Sequence, residues 1–232
     1  MDTTLLDLIS QKVATNDSPY KFETIPVPRV TEILQFIDME PLIGWANYIG
    51  MKHMRYQDVI NEATTVGSIT HGNIEKFLQN KPVNEYEAPI AYKSFLKWWE
   101  YITQENMINI LGQEETLICK YFGGTYDMLM SFNDKKILVD FKTSTHIGYK
   151  YFMQLAAYRY MLYMSKGIVL DGCLILQLNK KEIGYSEYWL DFSDPIEYNF
   201  IEACTNSFFS LVNLYYNIYE TKRMFSDIFN KK

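Results

Sequence analysis

The stretch from Gly123 to Lys142, GGTYDMLMSFNDKKILVDFK, reads as two β-strands joined by a tight turn. The first run, Tyr126 to Phe132, is apolar and aromatic. The second run, Lys136 to Lys142, is KILVDFK, and the short polar segment Asn133–Lys135 separates the two. Apolar runs bounded by turn residues are typical of a β-hairpin.

Charged side chains cluster at the open end of this predicted hairpin. Side chains alternate along a strand, which places Asp140 and Lys142 on one face. Pairing around residue 134 puts position 127 roughly opposite position 141, so Asp127 can approach Asp140. Two carboxylates and one lysine are therefore expected to converge at one end of a sheet.

Such a convergence calls for a cation, because two neighbouring carboxylates repel each other and one takes up a proton unless a positive charge holds both ionised. Mg²⁺ accepts oxygen ligands and retains waters for chemistry. A lysine beside it can orient a water or stabilise charge on a phosphate oxygen. A surface hairpin with an ordinary ion pair is the alternative, since short motifs often match by chance.

Two flanking segments each carry a pair of polar residues four apart, a spacing that shares one helix face. His71 and Glu75 lie upstream, and a histidine can ligate a metal through a neutral ring nitrogen. Gln154 and Tyr158 lie downstream, in an otherwise apolar helix. The alternatives are a hydrogen-bonded helix histidine and half-buried core groups.

Candidate phosphate contacts follow the hairpin. Thr143, Ser144 and Thr145 are small hydroxyl residues that could bind a phosphate or cap the next helix. Arg159, on that helix, could contact a phosphate with two parallel hydrogen bonds, and a structural ion pair is the equal alternative.

In this order the motifs resemble the RecB-like branch of the PD-(D/E)xK nuclease superfamily, and in overall layout single-strand DNA exonucleases of the mitochondrial-genome-maintenance type and from phages. The four motifs are GxxxH, GxxD, DxK and QxxxY. Here they occupy Gly67 to His71, Gly124 to Asp127, Asp140 to Lys142, and Gln154 to Tyr158. Tyr126 stands where the superfamily name places a proline, and RecB-like members often lack that proline.

The resemblance implies a role for each motif residue. The metal ligands would be His71, Asp127, Asp140 and the carbonyl of Phe141. Lys142 would be the catalytic lysine, with Gln154 and Tyr158 contacting the phosphate backbone or holding Lys142. A glutamate on the preceding strand can approach the metal in this family, which makes Glu114 and Glu115 candidates.

The composition limits the class of protein. The 232 residues suit one domain, and 48% hydrophobic residues provide a substantial core. A net charge of −6 counts against a large surface for non-specific duplex binding, although not against a narrow channel lined with lysines. The three cysteines are scattered without CxxC spacing, so no zinc site, disulfide framework or iron–sulfur cluster is expected.

The location is predicted from what the sequence lacks. We see no secretory signal, no Arg-rich transit peptide and no apolar run long enough to span a membrane. We therefore expect a cytoplasmic protein of a bacterium or a phage-infected cell.

The element order predicts an α/β protein with a central mixed sheet flanked by helices. The resemblance implies a restriction-endonuclease-like αβββαβ core with an N-terminal helical elaboration. We expect one domain, 1–232, composed of a helical elaboration at 1–110 with the His71 helix, a core sheet and QxxxY helix at 111–192, and a C-terminal helix at 193–232. Within it, 58–64 and 68–79 are predicted as two helices broken near Gly67, and 113–121 as a strand.

The function expected from these features is a metal-dependent DNA exonuclease acting on single strands or frayed ends in replication, recombination or repair. It would use one or two Mg²⁺ or Mn²⁺ ions, and a helicase or recombinase could deliver its substrate. The alternatives are a structure- or sequence-specific endonuclease on the same core, or a catalytically silent module that binds DNA or a protein.

Overall fold

The computed structural model describes residues 18–37, 39–84 and 88–229, with backbone alone at 39–43 and 45. The helices are α1 Val30–Leu34, α2 Met39–Met51, α3 Tyr56–Leu78, α4 Ile90–Glu105, α5 Tyr149–Lys166 and α6 Pro195–Phe229, with a 3₁₀ turn at Gln35–Ile37. The strands are β1 Lys21–Phe22, β2 Ile25–Pro26, β3 Ile108–Ile118, β4 Gly123–Phe132, β5 Lys135–Lys142, β6 Gly172–Leu178 and β7 Tyr185–Asp191.

A five-stranded mixed sheet forms the centre, in the order β3-β4-β5-β6-β7. The first three strands pair antiparallel, β5 and β6 pair parallel through the crossover helix α5, and β7 returns antiparallel at the edge. From α4 to β6 the chain therefore runs αβββαβ. This confirms the predicted α/β class and is consistent with a restriction-endonuclease-like core with an N-terminal helical part.

Two apolar layers enclose the sheet. Helices α1, α5 and α6 cover one face, where Leu138 and Ile175 are fully buried. Helices α3 and α4 cover the other face, where Val139 and Leu174 are fully buried. Because β5 and β6 are covered on both faces, their sequences read as continuous apolar runs rather than as alternating patterns.

The hairpin of β4 and β5 has a two-residue turn. Asn133 and Asp134 both have positive φ, +48° and +67°, as a tight type I′ turn requires. Met128 pairs with Val139, so position 127 lies opposite 140 if the register is continued, rather than opposite 141 as the sequence suggested. The difference arises because Lys135 belongs to the strand and not to the turn.

Helix α3 is continuous, so the predicted break near Gly67 is wrong. A glycine inside a helix costs about 1 kcal/mol relative to alanine, and packing of the helix against the domain can offset that. Ile74, for example, is fully buried in the core against α4. A Cβ at Gly67 would lie 3.5 Å from Thr143 Oγ1, so this glycine packs close to the segment that follows β5.

The strand before the hairpin also differs from expectation. It runs Ile108–Ile118, not 113–121, so it begins within the proposed helical elaboration. Its ladder with β4 shifts register between Ile110 and Gly112. Helix α4 belongs to the core as well, because Phe95 and Trp98 are fully buried against the sheet.

Among the described helices, none combines the length and apolarity needed to cross a bilayer.

Candidate active site

The candidate site lies at the C-terminal end of β5, where β4 and β5 separate. The last paired residues are Met128 and Val139. Beyond them, the Asp127 carboxylate takes the place of a strand partner, because its Oδ2 accepts a hydrogen bond of 2.7 Å from the Phe141 backbone N–H. Asp127 is thereby fixed at the point where the two strands diverge.

Helix α3 brings His71 to this point. His71 Nδ1 lies 3.3 Å from Asp127 Oδ1. The imidazole packs edge-on against the Phe141 ring, with the ring centroids 6.1 Å apart. The uninterrupted helix sets this position, because Ile74, one turn further along, is fully buried in the core.

Glu114 approaches from β3. Its φ of +45° is unusual for a glutamate, and its neighbours Gln113 and Glu115 pair with Met128 and Tyr126. Glu114 therefore sits opposite Asp127. Its Oε1 lies 4.0 Å from His71 Nδ1. Together the three residues offer ligand atoms that all lie within 4.8 Å of one another, a possible metal-binding triad.

Asp140 and Lys142 form the second half of the site. Asp140 is 1% exposed, and Lys142 Nζ lies 2.5 Å from its Oδ2. The lysine ammonium also lies 5.2 Å from the centroid of the Tyr151 ring, a cation–π distance. The structure therefore turns Asp140 towards Lys142, and the triad forms without it.

Gln154 and Tyr158 of α5 are both buried, and Gln154 Nε2 donates to the Tyr158 hydroxyl at 3.2 Å. A Cβ at Gly124 would lie 2.6 Å from Tyr158 Cε1. A glycine is needed there for the helix to approach β4 so closely. Gln154 lines the same cavity, of about 710 Å³, as His71 and Lys142.

Three candidates have other partners. Glu75 Oε1 accepts a hydrogen bond from Gln79 Nε2, and Glu75 does not join the triad. Glu115 is bound by Lys166 of α5 and by the Tyr126 hydroxyl. Arg159 Nη1 lies 2.7 Å from Glu202 Oε1, with its guanidinium over the rings of Phe192 and Tyr198. Of the two alternatives for Arg159, a phosphate contact and a structural ion pair, the structure has the ion pair.

Thr143 and Ser144 line the cavity beside Lys142. Ser144 Oγ donates to the His146 carbonyl at 3.0 Å, and the Ser144 carbonyl accepts from Gln177 Nε2 at 2.8 Å. These contacts fix the segment after β5 beside the end of β6.

The charges in the site perturb one another strongly. Burial alone would lower the pKa of His71, but the Asp127 carboxylate raises it to about 9. Burial raises the pKa of Glu114 to about 7 and that of Asp140 to about 6, the latter against the opposing effect of Lys142. For Asp127, burial is outweighed by His71, which keeps its pKa below the ordinary value. For Lys142, burial is outweighed by Asp140, which raises its pKa.

The residues fit a divalent cation. Both carboxylate oxygens of Asp140 are buried: Oδ2 faces Lys142 Nζ at 2.5 Å, and Oδ1 has no hydrogen-bond partner among the described residues, which is costly for a charged group. One imidazole and two further carboxylates stand beside it. Oxygen ligands with one histidine suit Mg²⁺ or Mn²⁺. His71, Glu114, Asp127 and Asp140 are the residues that would hold the ion.

The raised pKa values give a prediction for pH. A metal requires neutral imidazole and ionised carboxylates. Protons on Asp140, Glu114 and His71 therefore compete with the ion. As the pH rises, Asp140 loses its proton near pH 6, Glu114 near pH 7 and His71 near pH 9, and the competition at each group then ends. We expect the affinity for Mn²⁺ to rise at least tenfold between about pH 6 and pH 8.

Calorimetry in buffers of different ionisation enthalpy would measure both the affinity and the protons released. The His71→Asn variant should flatten the upper part of the pH profile. An affinity that does not change with pH would contradict the assigned ligands.

Tyr151 and Lys180 are among the cavity residues that were not identified from the sequence. Tyr151 lies three residues before Gln154 on α5, so the helical spacing of three could have indicated it. Lys180 also lines the cavity but comes from the loop after β6. No local pattern indicates that position, because it depends on how the sheet is assembled.

The comparisons with known proteins are weak. No protein-family model and no curated protein sequence matches the chain. Among solved structures it is similar to SSO0001, with a TM-score of 0.39 and 13% identity over 90% of this chain and 85% of that chain. It is also similar to the alkaline exonuclease LHK-Exo from Laribacter hongkongensis, with a TM-score of 0.31 and 12% identity over 62% and 77% of the two chains. LHK-Exo in complex with dAMP gives a TM-score of 0.33 and 11% identity over 68% and 84%. At these TM-scores and identities, inferences about chemistry rest on the site itself.

Proposed function

We propose that this protein is a divalent-metal-dependent deoxyribonuclease of the RecB-like PD-(D/E)xK type. It would hydrolyse phosphodiester bonds from the ends of single-stranded or frayed DNA, in replication, recombination or repair. The observation that supports this most directly is the buried Asp140 carboxylate, whose Oδ2 faces Lys142 and whose Oδ1 has no partner among the described residues, beside the His71–Glu114–Asp127 triad. A structural ion pair between Asp140 and Lys142 would not by itself account for the three further potential metal ligands beside it.

The chain's own residues can perform distinct parts of the hydrolysis. A bound divalent ion would polarise the scissile phosphate and lower the pKa of the attacking water. Lys142, fixed between Asp140 and the Tyr151 ring, would orient that water or stabilise charge on a phosphate oxygen. Gln154 and Tyr158, bonded to each other, would support the wall next to Lys142.

The surroundings favour an extended single strand. The cavity is open and about 710 Å³ in volume, with the hydroxyls of Thr143 and Ser144 and the ammonium of Lys180 in its walls. The net charge of −6 disfavours a broad duplex surface, because duplex binding depends on many phosphate contacts. Binding a single strand in a narrow groove lined with lysines would require far fewer phosphate contacts.

The test is digestion of matched linear and circular single-stranded DNA with Mg²⁺ or Mn²⁺ and with EDTA. We expect loss of the linear form alone and no loss in EDTA. Cleavage of the circle would instead indicate an endonuclease. Intact linear and circular strands, with intact duplex and RNA controls, would contradict nuclease activity of the isolated chain and leave a binding module.

A further inference from the structure

A second cavity, of about 480 Å³, adjoins the candidate active site. Its walls come from Thr143–Thr145 after β5 and from the loop Asn179–Gly184 between β6 and β7. Thr143, Ser144 and Lys180 line both cavities, so the two adjoin along these residues, and together they are called the groove.

The charge of this second cavity is positive. Lys180 and Lys181 line it, and Glu182 is the one carboxylate among its described lining residues. None of the described carboxylates forms an ion pair with either lysine. Within the part of the chain that the structure describes, this cavity therefore carries a net positive charge, which would attract an anionic ligand.

The loop that carries these lysines is held in a fixed conformation. The Asn179 N–H donates to the Gly184 carbonyl at 3.0 Å, and the Lys181 N–H donates to Asn179 Oδ1 at 3.1 Å. The buried Ser94 of α4 accepts from the Gly184 N–H at 3.1 Å and lies 3.1 Å from the Asn179 carbonyl. A preorganised loop loses less conformational entropy on binding than a flexible one.

The opposite wall is fixed as well. Gln177 Nε2 donates to the Ser144 carbonyl at 2.8 Å, while Gln177 Oε1 accepts from the Tyr188 hydroxyl at 3.2 Å. This clamp joins the end of β6 to the segment after β5. Thr143 and Thr145, on either side of Ser144, line this cavity.

We propose that this second cavity is a subsite for the phosphodiester backbone of the DNA strand, beside the bond that is cut. Lys180 and Lys181 would neutralise non-scissile phosphates, and the threonine hydroxyls would donate hydrogen bonds to them. The proposal rests on the proposed nuclease function and adds that the strand leaves the active site along the β6–β7 loop. Lys180 and Lys181 act as positioning residues and take no part in the chemistry.

The test compares Lys180→Ala/Lys181→Ala with Lys136→Ala/Lys222→Ala. The control removes the same charge at two exposed positions, and Lys136 is at the opposite end of β5 from Lys142. Fluorescence anisotropy of a labelled 20-mer of thymidylate, measured in EDTA at several salt concentrations, gives binding without cleavage. We expect affinity to fall roughly tenfold, and the slope of log K against log salt to become shallower by about 1.4, or about 0.7 for each lost phosphate contact.

Kinetics provide a second readout. With Mn²⁺ the loop variant should show a KM for the same 20-mer raised roughly tenfold and a kcat within about twofold of wild type. This pattern is expected when a mutation weakens binding of the substrate and of the transition state equally. A loop variant that matches the control in affinity and salt slope would overturn the proposed subsite. A wild-type chain that cuts no DNA would instead contradict the nuclease function, and the anisotropy in EDTA would still decide whether the lysines contact the strand.

Discussion

Replacing Lys142 by alanine is expected to lower kcat for DNA cleavage by about 10³-fold without weakening the binding of Mn²⁺. The ammonium lies 2.5 Å from Asp140 Oδ2, so its removal takes away a positive charge that opposes the metal, and at a pH high enough to keep Asp140 ionised the carboxylate is free to bind the ion. Affinity for Mn²⁺ should therefore stay the same or increase. Loss of catalysis without loss of metal would distinguish a catalytic lysine from a structural one.

The measurements are single-turnover cleavage of a linear strand and calorimetric titration with Mn²⁺. Lys142→Met is the companion variant, because it keeps an aliphatic stem next to the Tyr151 ring and should be as inactive as the alanine variant. Lys136→Ala, at the exposed start of β5, serves as the control. Cleavage by either Lys142 variant within tenfold of wild type would remove this lysine from the mechanism.

Replacing Asp127 by asparagine should have the largest effect on the metal. Asp127 contacts His71, lies opposite Glu114 and anchors the Phe141 N–H. Asparagine can still accept that hydrogen bond, so the backbone should hold while the charge disappears. We expect the affinity for Mn²⁺ to fall at least about 100-fold, because one of the few charged ligands is lost. Cleavage should fall below detection.

The same substitution should shift His71. Asp127 is what raises the pKa of His71 to about 9, and burial acts in the opposite direction. Without the carboxylate, the pKa should drop below the ordinary value, which an NMR titration can follow because the chain has three histidines. Asp134→Asn is a matched control, since Asp134 is exposed in the turn of the same hairpin at positive φ, which asparagine tolerates. Unchanged Mn²⁺ affinity in Asp127→Asn would exclude Asp127 as a ligand.

Wild-type protein should also gain thermal stability from Mn²⁺, by about 2.7 kcal/mol at a free concentration 100 times Kd. The Asp127→Asn variant should gain almost none at the same concentration, whereas Asp134→Asn should behave as wild type. This readout does not depend on DNA, so it tests the metal site even if no substrate is cut.

Local sequence signals predicted the sheet well. Apolar runs and the polar segment Asn133–Lys135 indicated the hairpin, and alternation placed Asp140 and Lys142 on one face, where the structure finds them in contact. These features depend on residues a few positions apart, which is why they can be seen in a sequence.

The choice between Glu114 and Glu115 could not be made in the same way. Simple alternation leaves both open, whereas the positive φ of Glu114 and the shift in the β3 ladder bring Glu114 opposite Asp127. Glu115 then meets Lys166, 51 positions further along the chain. Gly112 stands at the shift, as a glycine within a strand often does at a bulge, but local alternation alone does not say which glutamate then faces Asp127.

At Gly67 the local sequence signal gave a wrong prediction. Glycine predicts a break because of its low helix propensity, but the helix continues through it to bury Ile74. Tertiary contacts outweighed a local preference of about 1 kcal/mol. The position of His71 beside Asp127 depends on that continuity.

Local sequence patterns were enough to predict the strands of the hairpin, the polar pairs on the helices and the order of the motifs, because periodicity and turn preferences act over a few residues. Other features became known only from the folded chain. They are the register that puts Asp127 opposite 140, the place of Glu114 in the triad, the pairing of Arg159 with Glu202 and the position of Lys180 in the groove wall. Each of these depends on contacts between segments far apart in the chain. Their geometry is set by how α3, α5 and the β6–β7 loop pack around the end of β5.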